Sequence, residues 1–424
     1  DRRDLRLRDG FVVVTLFWTV LGIAGALPLY ISPQPAIGLT DAIFESMSGL
    51  TTTGATVLVG LESLPRAVLY YRQQMQWLGG MGIVILAVAL LPMLGVGGMA
   101  LYRAEMPGPV KDAKLTPRIT QTARMLWVVY VAITAACATG YFLAGMSVFD
   151  AIGHAFSTVA IGGFSHYDAS MGYFESRAVE LVAVFFMLVG AMNFGLHFVA
   201  WRSGRFGIYW RDPECAAFLR LMLVLCMITV TYLLVAGDYD DTLELATDGV
   251  FQAISVATTT GFTTSHFHHW PGGLPVLLLF ASFIGGCAGS TAGGLKVVRC
   301  LLLVKQGRRE IIRLVHPNAE IPVQLGGRAV PLRIVDAVWG FFAVYVGVFA
   351  VLMLSLMATG LDQVTAFSAI AATLNNLGPG LGGVAQNYAA IGPVGKWICV
   401  LAMLLGRLEI FTLLILFTVT FWRK

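Results

Sequence analysis

The sequence predicts an all-α polytopic membrane protein with four parallel helix–pore-loop–helix repeats around a pseudo-fourfold central pore. Three observations carry that expectation. Of the 424 residues, 57% are hydrophobic and only 12% charged, with a mean hydropathy of +0.77; a soluble domain carries about 25% charged residues. Apolar stretches of membrane-crossing length recur along the whole chain. A short motif bearing glycine returns four times at a nearly constant spacing.

A helical crossing needs about 20 mostly apolar residues. Segments of that kind begin near Phe11, Gln74, Arg124, Ser176, Ala216, Gly272, Leu332 and Gly392. The short alternating segments of a β-barrel are absent. Inside each pair of crossings lies a stretch too short to span and too apolar for a simple loop, which predicts a re-entrant segment. The first reads DAIFESMSGLTTTG (Asp41 to Gly54) and the third DGVFQAISVATTTG (Asp248 to Gly261). The second, DAIGHAFSTVAIGG (Asp150 to Gly163), and the fourth, AFSAIAATLNNLGPG (Ala366 to Gly380), are weaker copies. Taking Gly54, Gly162, Gly261 and Gly378 as equivalent gives spacings of 108, 99 and 117 residues. Such a period means an internal repeat. The expected units are 1–123, 124–215, 216–330 (with a broken second helix and a basic loop) and 331–424. Asp41, Asp150, Asp248 and Asp362 recur at the starts of the re-entrant helices, where N-capping accounts for them.

Charge placement sets the expected orientation. Of 28 Lys and Arg, 23 fall in the N-terminal tail, in the loops leaving each second helix, or in the C-terminal tail. Arg66, Arg72, Arg177 and Lys396 fall on the other side, and Arg407 inside a helix. The positive-inside rule then makes both termini cytoplasmic and brings the re-entrant segments in from outside. All four repeats run the same way, about an axis along the membrane normal, whereas a rocking transporter is expected to have inverted repeats. Arg2, Arg3, Arg6 and Arg8 precede an apolar run long enough to span, so no cleaved signal peptide is expected. The six cysteines are scattered without a CxxC pair and read as packing residues.

A cation stripped of water needs replacement oxygens, and rings of backbone carbonyls from converging loops supply them. Glycine is needed where the backbone takes dihedrals closed to other residues. Threonine adds hydroxyls, and the C-terminal end of each half-helix favours positive charge. The segments Thr51-Thr52-Thr53-Gly54, Val159-Ala160-Ile161-Gly162, Thr258-Thr259-Thr260-Gly261 and Asn375-Asn376-Leu377-Gly378 fit that need. The competing reading, glycines that merely ease helix packing, does not explain their register with a fourfold repeat. The candidate filter is therefore Thr52, Thr53, Gly54, Ala160, Ile161, Gly162, Thr259, Thr260, Gly261, Asn376, Leu377 and Gly378, with a dehydrated cation as the bound ion and no organic cofactor.

The chain resembles the membrane subunit of the Trk/Ktr/HKT superfamily, nearest the bacterial TrkH/TrkG branch. The motifs that carry the resemblance are RDGF (Arg8 to Phe11), SGLTTTGAT (Ser48 to Thr56), QWLGGMGI (Gln76 to Ile83), STVAIGGFS (Ser157 to Ser165), ATTTGFTT (Ala257 to Thr264), GGCAGSTAGGLK (Gly285 to Lys296) and LNNLGPGLG (Leu374 to Gly382). The resemblance implies potassium uptake through a gated pore in the bacterial inner membrane. It also implies a homodimer and a cytoplasmic nucleotide-binding regulatory ring of the TrkA type. In this superfamily serine at the first filter position goes with sodium permeation, and Gly54 there implies potassium. Bacterial members carry two further helices ahead of the first repeat; this chain begins at about that repeat.

Five glycines in the ten residues Gly285 to Gly294 cannot hold a helix interior, since each costs about 1 kcal/mol against alanine. Broken helix at membrane depth belongs in protein or along a water-filled cavity. With the resemblance, Gly285, Gly286, Gly289, Ser290, Thr291, Gly293, Gly294 and Lys296 form a candidate gate loop beneath the filter; a tight helix crossing is the alternative. Lys296 faces the inner pore mouth or snorkels to the interface. Arg407, midway along the last crossing, is a functional candidate because an intramembrane charge is costly. It is expected to be a tethered cation in the pore, the alternative being an ion pair with Glu409 or with an acid of another helix. His266, His268 and His269 read as an outer vestibule loop rather than a zinc site. His154 and His197 read as hydrogen-bonded packing residues. The basic loop from Val297 to Arg333 fits lipid headgroups, a docking surface for the ring, or both.

A transporter coupling potassium to sodium or protons would be expected to hold mid-membrane acids, and none stands out. An intramembrane enzyme built on His154 or His197 lacks any recognisable catalytic spacing. Nucleotide control has no Walker or GxGxxG motif in this chain and must come from a partner. No nucleic-acid partner is implied.

Overall fold

The computed structural model describes residues 7–85, 119–237 and 239–423. Arg2, Arg3 and Arg6 and the basic residues between 86 and 118 lie outside the described residues. Among the described residues the regular structure is helical apart from a small hairpin, Gln324–Leu325 against Arg328–Ala329, turned by Gly326 and Gly327 at φ +57° and +79°.

Each repeat opens with a long helix: α1 (Leu7–Ile31), α4 (Ile119–Leu143), α8 (Pro213–Ala236) and α12 (Leu332–Met357). All four contain windows apolar enough to cross a membrane. Their outward faces expose large apolar side chains, such as Leu16 and Phe17, Leu223 and Met227, and Val351 and Leu354. Lipid tails suit such a surface. A short helix follows each one: α2 (Leu39–Leu50), α5 (Val148–Val159), α9 (Thr242–Ala257) and α13 (Gln363–Leu374). These are buried along most of their length, Ser46, Ser157, Ser255 and Ser368 included. Among the described residues the apolar core falls into three clusters: one between repeats one and four, one centred on repeats two and three, and a small one of Val298, Leu302, Val323, Leu325, Ile334, Val335 and Val338.

The second helices are α3 (Arg66–Ile85), then α6 and α7 (Arg177–Ala191, Phe194–Ser203), α10 and α11 (Leu274–Ile284, Val297–Val315), and α14 and α15 (Pro393–Arg407, Phe411–Leu414). The sequence predicts one broken second helix, and the described residues show three. The chain turns by 98° between α6 and α7 and by 106° after α14. At the first bend Asn193 caps the new helix, its side chain accepting from Gly195 N at 2.7 Å. These breaks carry no glycine run, so composition does not signal them.

Three further expectations need correction. The helix α3 begins at Arg66 rather than near Gln74, which puts Arg72 inside a helix and not on the outer surface. Of Asp41, Asp150, Asp248 and Asp362, only Asp362 is a helix cap, accepting from Thr365 N at 3.0 Å. Asp41 pairs with Lys396 at 2.7 Å, Asp248 accepts from Thr264 Oγ1 at 2.7 Å, and the cap of α5 is Ser147. Finally, α4 and α8 start slightly ahead of the expected repeat boundaries at 124 and 216.

Candidate functional site

The four short helices end alike. Thr53 N, Gly162 N, Thr260 N and Leu377 N donate to Ser48 O, Ser157 O, Ser255 O and Ala372 O, at 2.8, 2.8, 2.8 and 2.7 Å. This is the six-to-one closure of a Schellman turn, which needs a left-handed residue just before the donor. Thr52, Ile161, Thr259 and Asn376 supply it, at φ +53°, +54°, +66° and +55°. The next residue after each donor is again left-handed: Gly54 at +80°, Gly163 at +77°, Gly261 at +82° and Gly378 at +97°. Gly163, not Gly162, is thus the structural equivalent of Gly54. Repeat two has two adjacent glycines, and only the helix end fixes which of them takes the special dihedral.

The same four glycines close a circuit. A Cβ on Gly54 would stand 2.1 Å from Gly162 O; on Gly163, 2.1 Å from Thr260 O; on Gly261, 2.0 Å from Leu377 O; on Gly378, 2.7 Å from Thr53 O. Each loop therefore backs onto the next, and the fourth returns to the first. Gly54, Gly163, Gly261 and Gly378 all face one cavity of about 280 Å³, open on one side and rimmed by Asp168, His266 and His268. Just behind them, the carbonyl oxygens of Thr52, Ile161, Thr259 and Asn376 accept no hydrogen bond among the described residues. Buried carbonyls left free around one axis are the ligand set a dehydrated cation needs.

Side chains of α3 hold loop two from behind. Gln76 donates to Gly162 O at 2.6 Å and accepts from Phe164 N at 3.1 Å; Gln73 donates to Phe164 O at 3.1 Å. Arg72 donates to Ser165 O at 3.2 Å and pairs with Glu45 at 2.7 Å, both side chains fully buried. Glu45 in turn accepts from Val57 N at 3.0 Å. Sequence reasoning misses this brace, although Gln76 stands in the QWLGGMGI motif. The available signal is Arg72, Gln73 and Gln76 on one helix, four residues apart end to end.

Asp150, His154 and His166 gather behind the same loop, with possible ligand atoms within 4.8 Å of one another. Hydrogen bonds engage them: His154 with Asp150 O and Ser165 Oγ, both at 2.9 Å, and His166 Nδ1 with Asp150 Oδ1 at 2.8 Å. They brace the loop. His197 bonds Tyr209 and Val189 O at 2.9 Å, a packing role as expected. His266 and His268 follow loop three in the vestibule wall, and His269 ends the same short turn. Burial and then the neighbouring imidazoles of His269 and His266 lower the His268 pKa, so His268 is neutral at pH 7.

Beneath the ring, Gly285 to Lys296 crosses as an irregular loop. Gly285, Gly289 and Gly294 are left-handed at φ +69°, +74° and +71°, and a Cβ on Gly293 would stand 1.9 Å from Asn375 O. The loop is tied to the filter backbone. Thr291 Oγ1 donates to Val159 O at 2.9 Å, Gly293 N to Thr259 Oγ1 at 2.7 Å, and Gly294 N to Asn375 O at 3.1 Å. Gly286 and Ser290 lie beside the α6–α7 bend, where Cys287 N donates to Ala191 O at 2.8 Å. Lys296 turns back on its own loop to donate to Ala292 O.

Arg407 is the last residue of α14, at the bend, rather than the middle of a crossing. Its guanidinium donates to Thr291 O at 3.0 Å and to Gly79 O at 3.4 Å, and lies 5.8 Å over the Trp18 ring. The alternative of an ion pair with Glu409 fails, because Glu409 pairs with Arg299 at 2.5 Å. The space on the other side of the ring, lined by Asn376, Arg407, Lys296 and the glycine loop, is only about 30 Å³. That is room for a water or so, against the wide vestibule above.

The TrkH family profile, described as a cation transport protein, matches residues 1–423. The chain is 58% identical to the Trk system potassium uptake protein TrkH of Vibrio parahaemolyticus, over 100% of this chain and 88% of that protein. It is 57% identical to TrkH of Escherichia coli K12 over the same shares, and 44% identical to TrkG of that strain, over 99% of this chain and 87% of TrkG. The crystal structure of the potassium transporter TrkH from Vibrio parahaemolyticus superposes with a TM-score of 0.93 at 56% identity, over 100% of this chain and 87% of that one. With the four-loop ring and the glycine-rich crossing beneath it, these matches identify the chain as a member of the TrkH family of cation transport proteins.

Proposed function

We propose that this chain takes up potassium across the bacterial inner membrane, through a gated channel-like pore whose selectivity filter is the four-loop ring. It is a transporter and not an enzyme. The observation that carries the reading is the closed circuit of left-handed glycines, which stacks four loops about one axis and leaves four buried carbonyls unpaired. The filter consists of Thr52, Thr53 and Gly54 with their counterparts in the other loops, Gly163 included. The four repeats, the second opening at Ile119, the third at Pro213 and the fourth at Leu332, each contribute one quarter. Both termini lie in the cytoplasm, so the wide vestibule faces outward. The names of the relatives, Trk system potassium uptake proteins, support the choice of ion.

The gate is the Gly285–Lys296 loop together with Arg407, a reading supported by the contrast between the spaces above and below the ring. A homodimer of this chain, lying in membrane lipid, works with a TrkA-type nucleotide-binding ring that docks on the basic cytoplasmic face. The test is rubidium uptake into proteoliposomes, with and without the ring and nucleotide. Uptake opposed by potassium and not by sodium is the expected result. No uptake with ring and nucleotide present would sink the filter reading.

Arg407 tests the gate. A fixed charge roughly 8 Å from an ion opposes it by about 2 kcal/mol at an effective dielectric constant of about 20. Arg407→Ala is therefore expected to raise rubidium uptake at least about tenfold while keeping the preference for potassium. Unchanged conductance and unchanged gating would remove Arg407 from the pore.

A further inference from the structure

Glu214 lies in the first turn of α8 and is 8% exposed. A charge at the edge of an apolar run reads in the sequence as a flanking residue and nothing more. In the structure one carboxylate oxygen, Oε1, accepts from two backbone amides that belong to different elements. Ala288 N donates at 2.7 Å from the middle of the glycine-rich loop, and Val298 N at 3.1 Å from the first turn of α11.

Other ties of the loop run elsewhere: Cys287 N and Thr291 N bond Ala191 O and Gly190 O at the end of α6, Gly293 and Gly294 bond the backs of loops three and four, and Arg407 donates to Thr291 O. One tie runs straight to α11, whose Val297 N donates to Gly286 O at 3.1 Å. Glu214 adds a second link from outside the loop, because one oxygen holds both the middle of the loop and the first turn of α11. That helix runs from Val297 to Val315 with Arg308, Arg309 and Arg313 in its outer half, and Val304, Ile311 and Leu314 exposed along it. A displacement of α11 along its axis therefore acts on the loop at Gly286 through Val297 N and at Ala288 through Glu214, unless one of these bonds breaks. The position of Glu214 is itself fixed, since its neighbour Asp212 caps α8 by accepting from Cys215 N at 2.8 Å.

We propose that Glu214 is a latch, a positioning residue that holds the glycine-rich loop in the closed pore and passes movement of α11 to it. The proposal rests on the gate reading above and adds the coupling element to it. Losing two hydrogen bonds to one buried acceptor shifts a two-state equilibrium by about tenfold or more. In full-length protein reconstituted without a regulatory partner, Glu214→Leu keeps bulk and removes the acceptor. Its rubidium leak should rise about tenfold, with the preference for potassium over sodium unchanged. Glu214→Gln keeps an acceptor oxygen and should stay within about threefold of the parent. Val298→Pro removes one of the two donors in a first turn that tolerates proline; it should raise the leak in the same direction, and decides the matter if the leucine variant does not fold.

Folding is followed by retention in gel filtration and by thermal stabilisation with potassium against sodium. A folded Glu214→Leu, or in its place Val298→Pro, with the parent's leak overturns the latch. So does an altered ion preference, which would mean damage to the filter. A parent protein that neither gains stability from potassium nor takes up rubidium overturns the filter reading instead, so the two failures are distinct.

Discussion

Gly261→Ala should reduce rubidium uptake at least about a hundredfold, the equivalent of roughly 2.7 kcal/mol. Two costs add at this position. An alanine held at φ +82° loses about 1–2 kcal/mol against glycine. Its Cβ would also stand 2.0 Å from Leu377 O and 2.7 Å from Pro379 Cδ. Backbone cannot swing aside as the end of a long side chain can, so loop four must shift. Because Gly378 backs in turn onto Thr53 O, the shift passes around the ring and the carbonyls leave their common axis. Gly340→Ala is the control. That glycine is exposed on α12 with nothing within 4 Å of a new Cβ, so uptake should match the parent, with a gain of up to about 1 kcal/mol in helix stability.

The same logic tests the register of loop two. Gly163→Ala should behave like Gly261→Ala, since it meets φ +77° and Thr260 O at 2.1 Å. At Gly162 the dihedral is ordinary, and the new Cβ meets the amide end of Gln76 at 2.4 Å, which can move. Gly162→Ala should therefore keep a measurable fraction of uptake. Equal loss in both variants would argue against the assigned register.

That register marks where the sequence stops being sufficient. The repeat, the re-entrant helices and the glycine-bearing loops are legible because four copies repeat one pattern, and two of them share TTTG. The slip between Gly162 and Gly163 arises because neighbouring glycines are equivalent in composition and differ only in dihedral. The breaks after Ala191 and Arg407 lack a glycine run, so helix propensity passes through them. Arg407 itself stands out as a costly charge, yet its partners are backbone carbonyls of distant residues, Thr291 and Gly79, which no local pattern encodes. Hydropathy likewise sends Arg72 to the surface, because it counts a charge without knowing of Glu45.

That buried pair carries the second large effect. Arg72 and Glu45 have fully buried side chains at 2.7 Å, and the guanidinium also lies 4.2 Å from the Phe164 ring centre. Glu45→Ala would leave the Arg72 charge unpaired in the interior, a loss of about 3–5 kcal/mol. Purified Glu45→Ala should therefore melt far below the parent or fail to fold. A buried pair need not add net stability over apolar residues of similar volume, which permits a separation of its roles. Glu45→Leu combined with Arg72→Met should recover much of the melting temperature. It should not recover uptake, because Ser165 O loses its donor and Val57 N its acceptor, and these bonds place the outer ends of loops one and two. Thermal melts and rubidium uptake on the same preparations decide it. A double variant that regains both would make the pair a matter of folding alone. One that regains stability without transport would mean that the charges are there to position the ring.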